Sequence, residues 1–161
     1  MTESRLNNNV ILGLLPSKEA RAIKEHLEAE NLTQALVLHE PKKPIEDVRF
    51  VTHGVVSLVK KLDSGETIEI ATVGPEGMVG STLALGSDMA DHRAIVQVPG
   101  GAMKMKASAF KRVLKDSARL QNLLMRYTLA LLNQVAQSAA CNRVHTVDER
   151  CARWLLMTHA L

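Results

Sequence analysis

The sequence predicts an α+β fold: a jelly-roll β-barrel with short helices before it and one long helix after it. Three observations predict it. Between Leu32 and Met105 short β-branched or alternating runs recur at close spacing, separated by glycine, proline and acidic turn residues. Beyond Ser108 the apolar spacing changes from two to three or four, the mark of helix. Aromatic residues make up only 2% of the chain against 46% hydrophobic, so the core is aliphatic and compact rather than built on rings.

In chain order, Met1–Asn9 is polar and reads as a frayed N-terminus. Val10–Leu15 is a short apolar turn ended by Pro16, and Ser17 is placed to cap a helix from Lys18 to Glu30 with Ala20, Ile23 and Leu27 on one face. Six strands follow: Ala35–His39, Asp47–Thr52, Val55–Lys61, Thr67–Val73, Ala94–Val98 and Ala102–Met105. The breaks between them fall at Glu40–Pro44, His53-Gly54, Asp63-Ser64-Gly65, Gly74-Pro75 and Pro99-Gly100-Gly101.

Between the fourth and fifth strands lies Gly77-Met78-Val79-Gly80-Ser81-Thr82, a glycine-flanked elbow leading into a short helix. Strand, elbow, short helix and strand form one way to aim backbone N–H groups at an anion. Ser108 opens a short helix that buries Phe110, Val113 and Leu114. Asp116-Ser117 then caps a long helix from Ala118 to about Asn142.

That helix carries two apolar stripes. Leu120, Leu124, Tyr127 and Leu131 continue into Gln134, Ser138 and Cys141; Met125, Leu129, Leu132, Val135, Ala136 and Ala139 line another side. Two stripes predict two partners, the barrel on one face and the same helix of a second copy on the other, a parallel homodimer. The seam is assigned to Leu124, Tyr127, Leu131 and Gln134. Thr146-Val147-Asp148-Glu149 has capping-box spacing and opens a last helix, Glu149–Leu161, which ends on apolar residues without a stop signal. Units are therefore expected at residues 1–9, 10–116, 117–145 and 146–161.

The excluded classes are as informative. Cys141 and Cys151 lie ten apart with no CxxC, so a zinc ribbon or four-cysteine cluster is unsupported. Cys141/His145 and His39/His53 are the only spacings that hint at a metal, and neither completes a ligand set. No Gly-x-Ser-x-Gly, P-loop or HExxH occurs, and no enzyme activity is expected. The net charge of +3 permits an acidic partner without requiring one. No stretch has the length of a membrane span and no signal peptide is visible, so a cytoplasmic protein is expected.

Gly54–Val59, Asp63–Glu66, Val73–Gly80 and Cys141–Arg150 together resemble the sensor half of bacterial Crp/Fnr-type transcription regulators, in order, over nearly the whole chain from Leu12 to Leu161. The resemblance implies a cyclic-nucleotide-binding-like domain with the elbow as its phosphate cassette. It also implies a dimerisation helix and a link to a DNA-binding helix-turn-helix that is absent from these residues. Implied pocket residues are Gly80, Ser81, Thr82, Arg93 and Ala94. The family's cyclic-AMP binders carry a glutamate after the second glycine and an Arg-Ser or Arg-Thr pair. Here Ser81 takes the glutamate's place, His92 the arginine's and Arg93 the Ser/Thr place.

A hydrogen bond to a charged partner contributes roughly 1.5–3 kcal/mol. Losing two such partners costs about two to four decades of affinity. The cofactor is therefore left unknown, with cyclic nucleotide disfavoured and another small-molecule effector or a degenerate pocket expected. Rival readings are a cyclic-nucleotide-binding module of a channel, transporter or kinase, and a cupin-type metalloenzyme.

Overall fold

A computed structural model describes residues 8–159. Its framework is one antiparallel sheet with helices at both ends of the chain. The helices are α1 (Val10–Gly13), α2 (Ser17–Lys24), α3 (Ala107–Asp116), α4 (Ala118–Val144) and α5 (Val147–His159). The strands are β1 (Glu28–Leu32), β2 (Val37–His39), β3 (Asp47–Lys61), β4 (Thr67–Val73), β5 (Met78–Val79) and β6 (Arg93–Lys106), with a 3-10 turn at Ser81–Leu85. The strand order is β1-β6-β3-β4, with β2 added to β6 and β5 to β3.

Two pairs of predicted strands resolve into two long ones. Asp47–Thr52 and Val55–Lys61 are a single strand β3, and Ala94–Val98 and Ala102–Met105 a single strand β6. The glycines read as breaks are bends. Gly54 has φ +83°, and the β3–β6 register slips at Val51/His53, His53/Val55 and Val55/Val56. The two bends nest: a Cβ on Gly54 would stand 2.7 Å from the Val98 carbonyl oxygen, and one on Gly100 2.0 Å from that of His53. No side chain fits between these backbones, which is why both strands carry glycine there.

The expected helix Lys18–Glu30 stops at Lys24, with Pro16 rather than Ser17 at the N-cap, and its tail is strand β1. Glu30 explains the override. It pairs with Arg49 at 2.6 Å and Lys104 at 3.3 Å, contacts that only the extended register against β6 allows. Asn9 also departs from expectation. It is fully buried, caps α1 by accepting from the Leu12 N–H, and places its amide nitrogen 2.8–3.0 Å from the carbonyls of Val51, Pro75 and Gly77. Fraying cannot extend as far as this residue.

Two apolar clusters form the core. One gathers Ile11, Ile23, Phe50, Met78, Phe110, Leu120, Leu124 and Tyr127 under the helices. The other fills the inside of the rolled sheet with Leu32, Val51, Val56, Val73, Val79, Ala94 and Val96. Leu131 touches both, so α4 runs from the helical cluster across the mouth of the roll.

Both predicted caps on the C-terminal helices are present. Ser117 Oγ accepts from Leu120 N–H at 3.0 Å and donates to Glu19. Thr146 N–H donates to Glu149 Oε2 at 2.8 Å, and Glu149 N–H back to Thr146 Oγ1 at 3.4 Å.

Candidate functional site: the elbow between β5 and β6

The elbow is built by β5 pairing with β3 at Arg49↔Val79 and Phe50↔Met78, which drives Met78 and Val79 into the two core clusters. The chain must then turn sharply. Gly80 does so at φ +89°, where a Cβ would also meet Ile45 and Val48 at 3.3 Å. Ser81 and Thr82 open the 3-10 turn, which Gly86 closes at φ +87°. The first N–H groups of such a turn have no acceptor inside it. Thr82 Oγ1 is buried and has no hydrogen-bond partner.

Of the five expected pocket residues, Gly80, Ser81 and Thr82 lie together and Ala94 is buried inside the roll. Arg93 is the exception. Its guanidinium bonds Glu40 at 2.9 Å, with its side chain 46% exposed. Strand alternation is the reason: since Ala94 points into the roll, its neighbour must point out. His92, not Arg93, stands with the inner groups.

His92 lies beside His39, ring centroids 5.2 Å apart and inclined at 60°. His39 is held at about pH 4 by burial, with His92 and Arg49 adding repulsion. Burial also lowers His92, partly opposed by Asp91 and reinforced by Lys60. Both rings are therefore neutral near pH 7, and the arginine's place carries no fixed cation. His39 Nε2 is a second buried polar atom without a partner. The sequence spacing pairs His39 with His53, but His53 instead faces Thr52 at 3.2 Å.

Helix α4 is keyed to the strand that opens the elbow and to β4. Tyr127 donates its hydroxyl to the Met78 carbonyl at 3.3 Å and packs on Gly77, where a Cβ would meet its ring at 2.5 Å. Burial, then the nearby Glu76 carboxylate, pushes this phenol far above its usual range, so it remains a donor. Further along, Gln134 bonds Thr72 on β4 through both its amide atoms, at 3.3 and 3.2 Å.

These contacts reassign the stripes on α4. Leu124 (1% exposed) and Tyr127 (9%) are enclosed by their own subunit, and Leu131 and Gln134 also face the roll. The expected seam is thus the inner face. The outward stripe is the other one: Met125, Leu129 and Leu132 are 66%, 58% and 61% exposed.

Cys141 and His145 do not act as a pair: Cys141 is buried and its sulfur accepts from Gln137, while His145 turns to Glu149. Among the described residues no group of three or more His, Cys, Asp or Glu side chains is placed to hold a metal ion. Among them, too, no helix is long and apolar enough to cross a membrane.

The sequence family described as cyclic nucleotide-binding domain matches residues 30–117. The chain belongs to that family. No curated protein matches it in sequence. Among solved structures it is similar to a transcriptional regulator of the Crp/Fnr family from Eubacterium rectale, with a TM-score of 0.78 and 16% identity over 96% of this chain and 72% of that one. It is also similar to the c-di-GMP-responsive global regulator CLP of Xanthomonas campestris, at 0.70 and 15%, covering 87% and 70%. A third similar structure is the regulatory subunit of a cAMP-independent protein kinase A from Trypanosoma brucei, at 0.67 and 17% identity, covering 78% of this chain. The chain spans 45% of that subunit's length. At these identities the likeness establishes the fold: an antiparallel sheet with helices and a long C-terminal helix.

Proposed function

We propose that this chain is the effector-sensing and dimerising half of a Crp/Fnr-like transcription regulator, acting on DNA through a helix-turn-helix beyond Leu161. The observation that carries the reading is the outward stripe of α4. Asn122, Met125, Leu129, Leu132, Ala136, Ala139 and Arg143 recur at alternating spacings of three and four, the period of a coiled-coil seam. The inner face of the same helix is keyed to the start of the elbow through Tyr127 and to β4 through Gln134. A ligand that moves the elbow therefore moves the helix on which a second copy would pack. It shifts that packing only to the extent that it binds the two arrangements unequally.

The effector in this reading is not cyclic AMP. Ser81 offers a hydroxyl where a ribose-binding carboxylate is expected, His92 is neutral, and Arg93 is engaged with Glu40. The unpartnered Thr82 hydroxyl and His39 ring nitrogen favour a ligand with neutral donors and acceptors. Calorimetry with cyclic AMP and cyclic GMP tests this part: binding weaker than about 100 μM is expected. A dissociation constant near 1 μM for either nucleotide would contradict it.

A further inference from the structure

A second cleft lies along β4, and no residue from Gly80 to Ala94 lines it. It has a volume of about 550 Å³ and is enclosed by β4, the C-terminal half of α4 and the last helix α5. That volume is within the range of small-molecule sites. We propose that this cleft binds a small amphipathic monoanion, an apolar body bearing one carboxylate or sulfonate.

The walls specify the body. Ile68, 41% exposed, and Ile70 form the β4 side, facing Trp154 and Met157 of α5. Trp154 is not free to swing. Its indole N–H donates to Glu69 Oε1 at 3.0 Å, while Glu69 Oε2 accepts from Ser57 at 2.5 Å. The ring is thus a fixed apolar wall whose polar edge is already satisfied.

The charges specify the head group. Arg150 and Arg153 line the cleft against the single carboxylate of Glu69. Both Glu69 oxygens are occupied, and among the described residues neither arginine makes an ion pair; Arg150 bonds only the Asn142 amide oxygen, at 3.2 Å. Arg153 is half-buried beside the apolar lining of the cleft, and among the described residues no carboxylate lies within salt-bridge distance of it. A guanidinium in that setting favours an anion, and its planar fork suits a carboxylate or sulfonate. Two cations against one anion leave a surplus of one, which matches a single negative charge. Ser138, on the α4 wall, is available to hydrogen-bond the same head group.

Trp154 is the only tryptophan in the chain, so it reports on this cleft alone. The test is titration of the 161-residue chain with 8-anilino-1-naphthalenesulfonate, read as energy transfer from Trp154, followed by displacement with decanoate and with phenylpropionate. Saturable transfer is expected, with displacement by one of the two acids showing whether the body is aliphatic or aromatic. Arg153→Gln should weaken the transfer-linked binding at least about tenfold, the effect of losing one charge-assisted bond. Ser138→Leu, which fills the cleft from α4, should abolish it. Dye binding without transfer, displacement by neither acid, or equal binding by Arg153→Gln would overturn the proposal. Neither substitution lies on the elbow or on the outward stripe of α4. A result here is therefore separate from the outcome for the regulator reading.

Discussion

The His39–His92 pair shows how much one position's chemistry depends on what surrounds it. His39 is buried against His92 and Arg49, with Glu40 the one opposing charge, and its folded pKa is about 4 against an ordinary value of 6.5. The unfolded chain therefore binds a proton that the folded chain refuses between those values. Stability from this group is complete above pH 6.5 and is lost as the pH falls towards 4. Urea midpoints measured from pH 7.5 to 4.5 should fall, and His39→Gln should flatten the fall. A variant with an unchanged pH slope would show that His39 is not the group responsible. The elbow at Gly80 was legible in the sequence, because a glycine between two apolar residues and two hydroxyls signals a turn. The direction of Arg93 was not. It depends on the phase of a strand whose start a single sequence does not mark, and one residue of phase separates a ligand contact from a surface ion pair.

At the scale of elements, helix α4 was legible in length and in having two apolar faces, but not in which face went where. Leu124 and Met125 are comparable hydrophobes one residue apart. What sorts them is Tyr127, whose ring needs the bare backbone of Gly77 as a seat, and Gln134, which needs Thr72. Neither requirement is local in sequence. The same is true of β1, where Glu28–Glu30 reads as helix until Arg49 and Lys104 are placed beside it. Docking of α4 on the elbow should therefore be sensitive at Gly77. Gly77→Ala puts a methyl inside the Tyr127 ring. Overpacking of this kind costs about 1–3 kcal/mol. A lower urea midpoint at unchanged slope would register it. A Gly77→Ala protein as stable as the parent would mean that Tyr127 is seated elsewhere.

Across the whole molecule, the roll, the elbow and α4 form one unit, since Leu131 joins the two core clusters and Asn9 ties the N-terminal turn to Val51, Pro75 and Gly77. Helix α5 is different: it has no buried residue and is held by its capping box and by Trp154 on Glu69. In the proposed regulator the inner stripe of α4 holds the subunit together and the outer stripe would hold two subunits together. Light scattering, paired with thermal unfolding, on Leu129→Glu/Leu132→Glu and separately on Leu124→Glu distinguishes the two most directly. The double variant should scatter as a folded monomer of 17.6 kDa where the parent scatters as twice that mass, while Leu124→Glu should lose its folded core. A parent chain that is monomeric at high concentration, or a double variant that stays dimeric, would contradict the account.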